Sequence, residues 1–364
     1  MKHLSGLFIA LIITGSVISS CGTQKKPVDQ DSFPYESFEI MRGTNIAHWL
    51  SQSQRRGSER ETFFTEKDVK FIDSCGFDHI RLPIDEEQMW DESGKRNEDA
   101  FTLMKNCLDW CQKAGLRVII DLHILRSHHF NEEVKPLWTD PAEQDQFIAL
   151  WKDLSDFLKE QPLAMVAYEP MNEPVADDPE EWNVLLARVV TAIRQWEPQR
   201  VIVIGSNRWQ SATTFDELRV PANDTNIILS YHFYEPFFLT HYQAAWTDLK
   251  DFTGQVNYPG QIVLNSNLPE HLRVYNRDTL VKMMEKPLRV ASKLNLQLYC
   301  GEFGIFRDFF PEAKLAWYKD MTSIFEEYGV AYANWNYKSG AFGIVDDGGK
   351  PIQPYLDVVA GKLK

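Results

Sequence analysis

The feature that most constrains how this chain folds is an alternation. Short runs rich in β-branched residues, bounded by turn formers, recur along it, and stretches with apolar residues at helical spacing follow them. The first predicted strand is Met41 to Ile46 with a helix over Lys67 to Cys75, and the second is His79 to Ile84 with a helix over Phe101 to Ala114. The third, Arg117 to His123, has a Val-Ile-Ile centre that reads as buried on both faces, and its helix runs from Glu143 to Lys159. Strand four is Leu163 to Tyr168 with a helix over Trp182 to Trp196, and strand five, Val201 to Gly205, has only a short helix after it. Strand six is Ile227 to His232. A long insertion then precedes a helix at Leu280 to Leu294, and strands at Gln297 to Cys300 and Tyr332 to Trp335 complete the set. Eight such units, with no low-complexity linker and no repeat of about 20–50 residues between them, predict an α/β fold: one (β/α)8 TIM barrel over residues 38–364. An open doubly wound sheet would call for a G-x-G-x-x-G turn after its first strand, and none is present.

Ahead of the barrel, residues 1–20 read as a lipoprotein-type signal peptide. Lys2 supplies the charged start, Leu7 to Ile18 an apolar stretch too short to span a bilayer, and Ser19-Ser20 a small-residue cleavage site. Ile18-Ser19-Ser20-Cys21 resembles a bacterial lipobox, which implies lipidation of Cys21, a polar tether over 21–37, and a cell-envelope lipoprotein at the outer membrane or cell surface. Plain secretion or a periplasmic location is the alternative. The other cysteines, 75, 107, 111 and 300, read as buried free thiols, because no second pair with zinc-ligand spacing accompanies Cys107 and Cys111. A net charge of −14 argues against nucleic acid and against an anionic membrane surface as partners, so membrane contact is expected only through the anchor. Aromatic residues make up 13% of the chain, with 11 Trp, 13 Tyr and 22 Phe, which suits a neutral ligand with flat faces.

In this kind of barrel, chemistry is built at the carboxyl ends of the strands. Here those ends carry Arg81, His123, Asn172-Glu173-Pro174, His232-Phe233-Tyr234, Gly301-Glu302-Phe303-Gly304 and Trp335. Taken singly, each has a structural explanation as an ion-pair partner, a core histidine or a helix cap. Their joint arrival around one mouth points to a site. Glu173 and Glu302 would face each other across it, and a carboxyl pair about 5–5.5 Å apart supports double-displacement glycoside hydrolysis. Arg81 and Tyr234, by donating to Glu302, would keep it ionised as nucleophile. Glu173, with no cation in its motif, would stay protonated as the acid and then act as base, and Asn172 would bond the sugar 2-hydroxyl.

These residues carry a resemblance to glycoside hydrolase family 5, the cellulase-type family of the barrel-fold clan of retaining glycosidases, over roughly residue 38 to the C-terminus. The motifs are Arg42-Gly43-Thr44-Asn45, His79-Ile80-Arg81-Leu82-Pro83, Asp121-Leu122-His123, Tyr168-Glu169-Pro170-Met171-Asn172-Glu173-Pro174, Tyr231-His232-Phe233-Tyr234, Gly301-Glu302-Phe303-Gly304 and Trp335. The resemblance implies Glu173 as acid/base and Glu302 as nucleophile, with Arg81, His123, Asn172, His232, Tyr234 and Trp335 around the bond to be cut. Pro170 and the segment from Ile124 to Trp138 depart from the family pattern.

Trp335 is the firmest candidate platform for a sugar ring; Asn45, Trp49, Trp138 and Trp209 are further candidate substrate contacts, while Trp110, Trp151, Trp182 and Trp196 belong to helices. Net acidity favours a neutral polysaccharide. A β-1,4-glucan is preferred, with mannan, xyloglucan and β-1,3-glucan as alternatives, and the stretch from Glu235 to Tyr275 is expected to shape the cleft. No metal or other cofactor is expected: His123, His128 and His129 with Glu132 and Glu133 lack the H-E-x-x-H pattern, and Gly343 to Lys350 lacks P-loop spacing. A monomer is expected. A reading of a different class, a surface lipoprotein that binds polysaccharide without cutting it, would call for loss of one carboxylate, and both are present.

Overall fold

A computed structural model of the chain describes residues 33–263, 269 and 273–363. The predicted leader, Cys21 and the tether up to residue 32 lie outside the described residues. The folded unit begins earlier than residue 38. Phe33 packs into the core, and the Arg117 guanidinium lies 4.0 Å from the centre of the Tyr35 ring, so the last residues of the expected tether belong to the barrel domain.

All eight predicted strands form: β1 (Arg42–Asn45), β2 (His79–Asp85), β3 (Arg117–Ile124), β4 (Val166–Glu169), β5 (Ile202–Gly205), β6 (Ile227–Phe233), β7 (Gln297–Phe303) and β8 (Ala331–Asn334). They close a barrel in the order β1-β8-β7-β6-β5-β4-β3-β2, each neighbouring pair parallel. Strand periodicity divides each strand between two environments. Ile80, Leu82 and Ile84 on β2, and Val118, Ile120 and Leu122 on β3, point outward into the layer shared with the helices. Ile119, Ala167, Val203, Ile228, Tyr299 and Ala331 instead join Phe38 and Ile40 in a separate apolar layer inside the barrel. Further along the same inward faces the residues turn polar: Arg81, Asp121, His123, Glu169, His232 and Glu302 are all buried there.

Helices α1 (Glu66–Cys75), α2 (Glu98–Ala114), α3 (Pro141–Leu158) and α4 (Pro179–Trp196) follow the first four strands as expected. Their starts are legible chemically: Asp140 caps α3, and Asp178 with Glu181 forms a capping box on α4, each helix opening on a proline whose missing N–H costs nothing there. Two expectations are corrected. The helix predicted over Leu280 to Leu294 is two, α5 (Arg277–Met283) and α6 (Glu285–Leu294), separated at Met284, because Pro287 has no N–H to continue a single ladder. The predicted set has no helix between strands seven and eight, where the structure has α7 (Pro311–Tyr328), seated through Trp317, Tyr318, Met321, Ile324 and Phe325.

One irregularity positions the site. Along β6 and β7, Tyr231 pairs with Cys300 but His232 pairs with Glu302, so Gly301 is an extra residue that re-aims Glu302. A Cβ on Gly301 would stand 3.0 Å from Ser230 Oγ and 3.2 Å from His232 Nε2, so any larger residue in the bulge would crowd both side chains.

Candidate active site

Glu302 leaves β7 pointing across the mouth, and Glu173 stands in the irregular segment after β4; they are 4% and 8% exposed. One carboxylate oxygen from each, together with a ring nitrogen of His232, lies within a mutual distance of 4.8 Å. The surroundings of the two carboxyls differ. Glu302 Oε1 accepts from Arg81 Nη1 at 2.8 Å and Oε2 accepts from the Tyr234 hydroxyl at 2.9 Å. Among the described residues no lysine or arginine touches Glu173; its Oε1 is 2.7 Å from His232 Nδ1, an imidazole that burial holds neutral by pushing its pKa well below the usual value. Burial and the neighbouring charge of Glu302 push the Glu173 pKa well above the ordinary carboxyl range. Burial also raises that of Glu302, but there Arg81 and the Tyr234 hydroxyl oppose the rise.

Arg81 is fully buried and organises the floor. Its Nε and Nη2 bond both oxygens of Glu169 at 2.6 and 3.1 Å, and Nη2 also reaches Asp121 Oδ2 at 3.0 Å and Asn172 Oδ1 at 2.8 Å. Nη1 reaches Asn45 Oδ1 at 2.9 Å, and Asn45 Nδ2 donates to Gly301 O, tying β1 to the bulge under Glu302. Three carboxylates around one guanidinium, out of water, cannot all ionise cheaply; burial pushes Asp121 and Glu169 up to about 7 each. Arg81 and Asn45 were expected to touch substrate. Both are fully buried, Arg81 holding Glu302 and Asn172, and Asn45 holding Arg81 and the Gly301 carbonyl.

The side chains that face the cleft are arranged around this floor. The His123 ring stacks on Trp335 with centroids 5.3 Å apart and planes 6° from parallel, and its Nδ1 is 2.7 Å from Asp121 Oδ2. A proton donated to Asp121 leaves His123 Nε2 as an acceptor beside the Gln52 carboxamide, 3.5 Å away. Asn172 Nδ2 and His232 Nε2 are buried without a hydrogen-bond partner, the state expected of donors and acceptors that a ligand hydroxyl completes. Trp335 sits in an aromatic cluster with Phe306 and Phe342.

Of the other tryptophans, Trp209 is 43% exposed on the rim, its Nε1 donating to Phe130 O at 3.3 Å. Trp49 is a correction: its ring is fully buried against Phe64 and its Nε1 bonds Arg60 O at 2.8 Å, leaving no face for a sugar. Trp138 is half-buried between the rings of His128 and Trp182, a packing role rather than an open platform. Trp110 and Trp196 pack from helices as expected, and Trp151 and Trp182 are buried. Four further residues of the site, Glu169, Asp121, Gln210 and Trp246, have no role that the sequence alone assigns. The first two lie within the quoted motifs, and Trp246 lies in the aromatic-rich excursion after β6. There it is 52% exposed, edge-on to Phe306 at 5.0 Å and tilted to Phe342 at 6.4 Å, which extends the aromatic wall outward from Trp335.

Glu173, His232 and Glu302 are a geometric candidate for an ion, the group of this kind found among the described residues. The 2.7 Å contact between His232 and Glu173 speaks against it, because two ligands of one tetrahedral zinc stand roughly 3.3 Å apart given its bond lengths. That spacing is a hydrogen bond. The histidines of the β3 loop are occupied as well: His128 Nε2 accepts from Val175 N at 3.1 Å, and His129 Nδ1 accepts from Asn131 N at 3.2 Å. The four cysteines among the described residues, Cys75, Cys107, Cys111 and Cys300, are buried free thiols, as the sequence suggests.

Comparison with known proteins agrees with this geometry. The family profile of cellulase (glycosyl hydrolase family 5) matches residues 34–341. Endoglucanase C of Acetivibrio thermocellus is 33% identical over 88% of this chain and 98% of its own length, and cellodextrinase A of Ruminococcus flavefaciens is 29% identical over 80% and 84%. Among solved structures, a hyperthermophilic endo-β-1,4-glucanase in complex with substrate superposes with a TM-score of 0.74 at 26% identity, covering 89% of this chain and 97% of that one. A two-carboxylate mouth on an eight-stranded barrel, matched along nearly its whole length by this family, identifies the chain as a member of glycosyl hydrolase family 5, a cellulase-type glycoside hydrolase.

Proposed function

We propose that the chain is a retaining endo-β-1,4-glucanase in which Glu302 is the nucleophile and Glu173 the acid/base. The observation that carries this is the close approach of two carboxyls in unlike surroundings, within 4.8 Å of each other. That spacing leaves no room for a water between carboxylate and sugar, as inversion needs, and suits direct attack by one carboxylate. In the first step a Glu302 oxygen bonds the anomeric carbon, the glycosidic C–O bond breaks, and Glu173 gives its proton to the departing oxygen. In the second, Glu173 takes a proton from water, whose oxygen bonds the anomeric carbon and displaces Glu302. Two inversions return the original configuration. Arg81 and Tyr234 stabilise the Glu302 carboxylate each time it is regenerated, and Asn172 Nδ2 is free to bond a sugar hydroxyl as charge develops.

A β-1,4-glucan is supported by the endoglucanase relatives and by a cleft whose floor and rim carry Trp335, Trp209 and Trp246. Reducing ends released from carboxymethylcellulose, glucomannan, xyloglucan and laminarin test it. Carboxymethylcellulose is the expected best substrate; preference for another polymer reassigns the backbone sugar, and binding without release on all four overturns the enzymatic reading. Roles are tested by Glu302→Ala, which azide should rescue as a glycosyl azide of inverted configuration, whereas rescue of Glu173→Ala should retain it. We further propose that the protein is a monomer held to the cell envelope through lipidated Cys21; loss of membrane fractionation and of incorporated palmitate in Cys21→Ser is the expected result.

A further inference from the structure

β4 stops at Glu169, and the segment that follows, carrying Asn172 and Glu173, forms neither helix nor strand. Residues 170–176 are nevertheless all buried, so their backbone groups need partners from elsewhere. Asn172 N donates to Leu122 O at 3.3 Å, Val175 N to His128 Nε2 at 3.1 Å, and Pro170 O accepts from Trp151 Nε1 at 2.9 Å. Four consecutive residues after β5 supply the remaining struts. Asn207 brackets Ala176, accepting from its N–H at 2.9 Å and donating to its carbonyl at 3.0 Å. Arg208 Nη2 donates to Asp177 O at 3.2 Å and Trp209 N to Pro174 O at 3.2 Å. Gln210 Nε2 donates to Asn172 O at 2.5 Å and to Glu169 Oε1 at 2.8 Å.

The turn that presents these groups is strained. Arg208, Trp209 and Gln210 have φ of 58, 62 and 52°, three successive left-handed residues without a glycine among them. Each places a Cβ too close to the following carbonyl oxygen, a conformation residues other than glycine rarely adopt. Strain of this kind persists where surrounding contacts over-determine it, and it concentrates at functional sites. Gly205 has no side chain at the place where the Gln210 carboxamide lies, so the strand end is cut to fit it.

We propose that Gln210 is a positioning residue for Glu173: the left-handed turn Asn207–Gln210 clamps the irregular segment, and the Gln210 carboxamide fixes the peptide carbonyl that immediately precedes the acid/base. The proposal rests on Glu173 being the acid/base. Gln210 is fully buried and its carboxamide bonds Glu169, Met171 O and Asn172 O, so it acts on Glu173 through the peptide that joins Asn172 to it. The amide is oriented by its partners, because three acceptors, Glu169 Oε1, Asn172 O and, at 3.4 Å, Met171 O, face Nε2 and a flipped oxygen would meet them instead.

The test is leaving-group dependence, which a general loss of structure would not produce. Gln210→Met keeps side-chain length and removes both donors. On 2,4-dinitrophenyl β-cellobioside, whose phenolate departs without a proton, kcat/KM of the variant should stay within about threefold of wild type. On cellotetraose, which requires the proton, it should fall about 10- to 100-fold, the range for a small displacement of a catalytic group. Asn207→Asp, which keeps the acceptor for Ala176 N and loses the donor, should show the same bias at smaller amplitude and serves if Gln210→Met does not fold. Equal losses on both substrates, or none on either, overturn the clamp. Glu173→Ala is measured alongside. If it shows the bias and the clamp variants do not, the clamp alone is wrong; if it shows none, the assignment of Glu173 falls and the clamp with it.

Discussion

Replacing Tyr234 with phenylalanine takes away one oxygen and leaves the ring, which is held edge-on by His241 at 5.0 Å and Phe342 at 6.1 Å. What disappears is the donor to Glu302 Oε2 at 2.9 Å. A hydrogen bond to an ionised group contributes about 1.5–3 kcal/mol, and 1.36 kcal/mol corresponds to one pKa unit, so the variant's Glu302 should protonate about 1–2 pH units higher. The direction follows because the bond favours the charged form. Activity requires ionised Glu302 and protonated Glu173, so the acid limb of kcat/KM belongs chiefly to the first and the alkaline limb to the second. Tyr234→Phe should therefore move the acid limb toward neutrality by about 1–2 units while the alkaline limb stays, and at a pH below the wild-type limb it should lose about 10- to 100-fold in kcat/KM. Arg81 Nη1 remains at 2.8 Å, so activity at the optimum survives. The assay is the pH profile of kcat/KM on an aryl β-cellobioside. An unmoved acid limb, or a shifted alkaline limb in its place, would refute the assignment of Tyr234 to the nucleophile.

Three other outcomes are expected. Trp246→Ala should raise KM for cellohexaose by about 2- to 12-fold, the equivalent of one aromatic contact of about 0.5–1.5 kcal/mol, and by much less for a two-sugar aryl glycoside; equal effects would remove Trp246 from the cleft wall. Arg81→Lys should abolish turnover, because a point charge cannot serve Glu302, Glu169, Asn45 and Asn172 at once; activity within tenfold of wild type would contradict the floor described above. Glu169→Gln tests linkage. The folded-state pKa of Glu169 lies at about 7, above that of an unfolded chain, so the folded protein holds an extra proton in between and this group's contribution to stability falls as pH rises from about 4 to 7. Glutamine does not titrate, so the melting temperature of the variant relative to wild type should rise over that window; a difference independent of pH would place the charge of Glu169 elsewhere.

The parts of the molecule legible in its sequence are those set by local pattern. β-Branched runs gave each barrel strand, and inward positions near the strand ends gave Arg81, His123, His232 and Glu302 together with the expected bonds from Arg81 and Tyr234 to Glu302. Pro170 turns out to be harmless where it stands, since β4 has ended at Glu169 and its carbonyl is taken by Trp151. Burial of Trp49 was illegible because it depends on how the chain turns after β1, and a sequence position just past a strand end is compatible with cleft or core. Glu169 and Asp121 were visible as letters, but their work comes from meeting Arg81 across three strands. The turn at Arg208 to Gln210 lacks the glycine or asparagine that marks left-handed backbone, so no residue type announced it. α7 has a broad, mixed pattern in which Lys314 is buried beside Trp317, and the charges mask its periodicity.

Covalent trapping tests the whole account most directly. A 2-deoxy-2-fluoro-β-cellobioside with a good leaving group slows both steps but the second more, so the sugar should accumulate on the enzyme, and peptide mass mapping should find one cellobiosyl adduct on Glu302. An adduct on Glu173, or none together with hydrolysis that yields the opposite anomer, would contradict it.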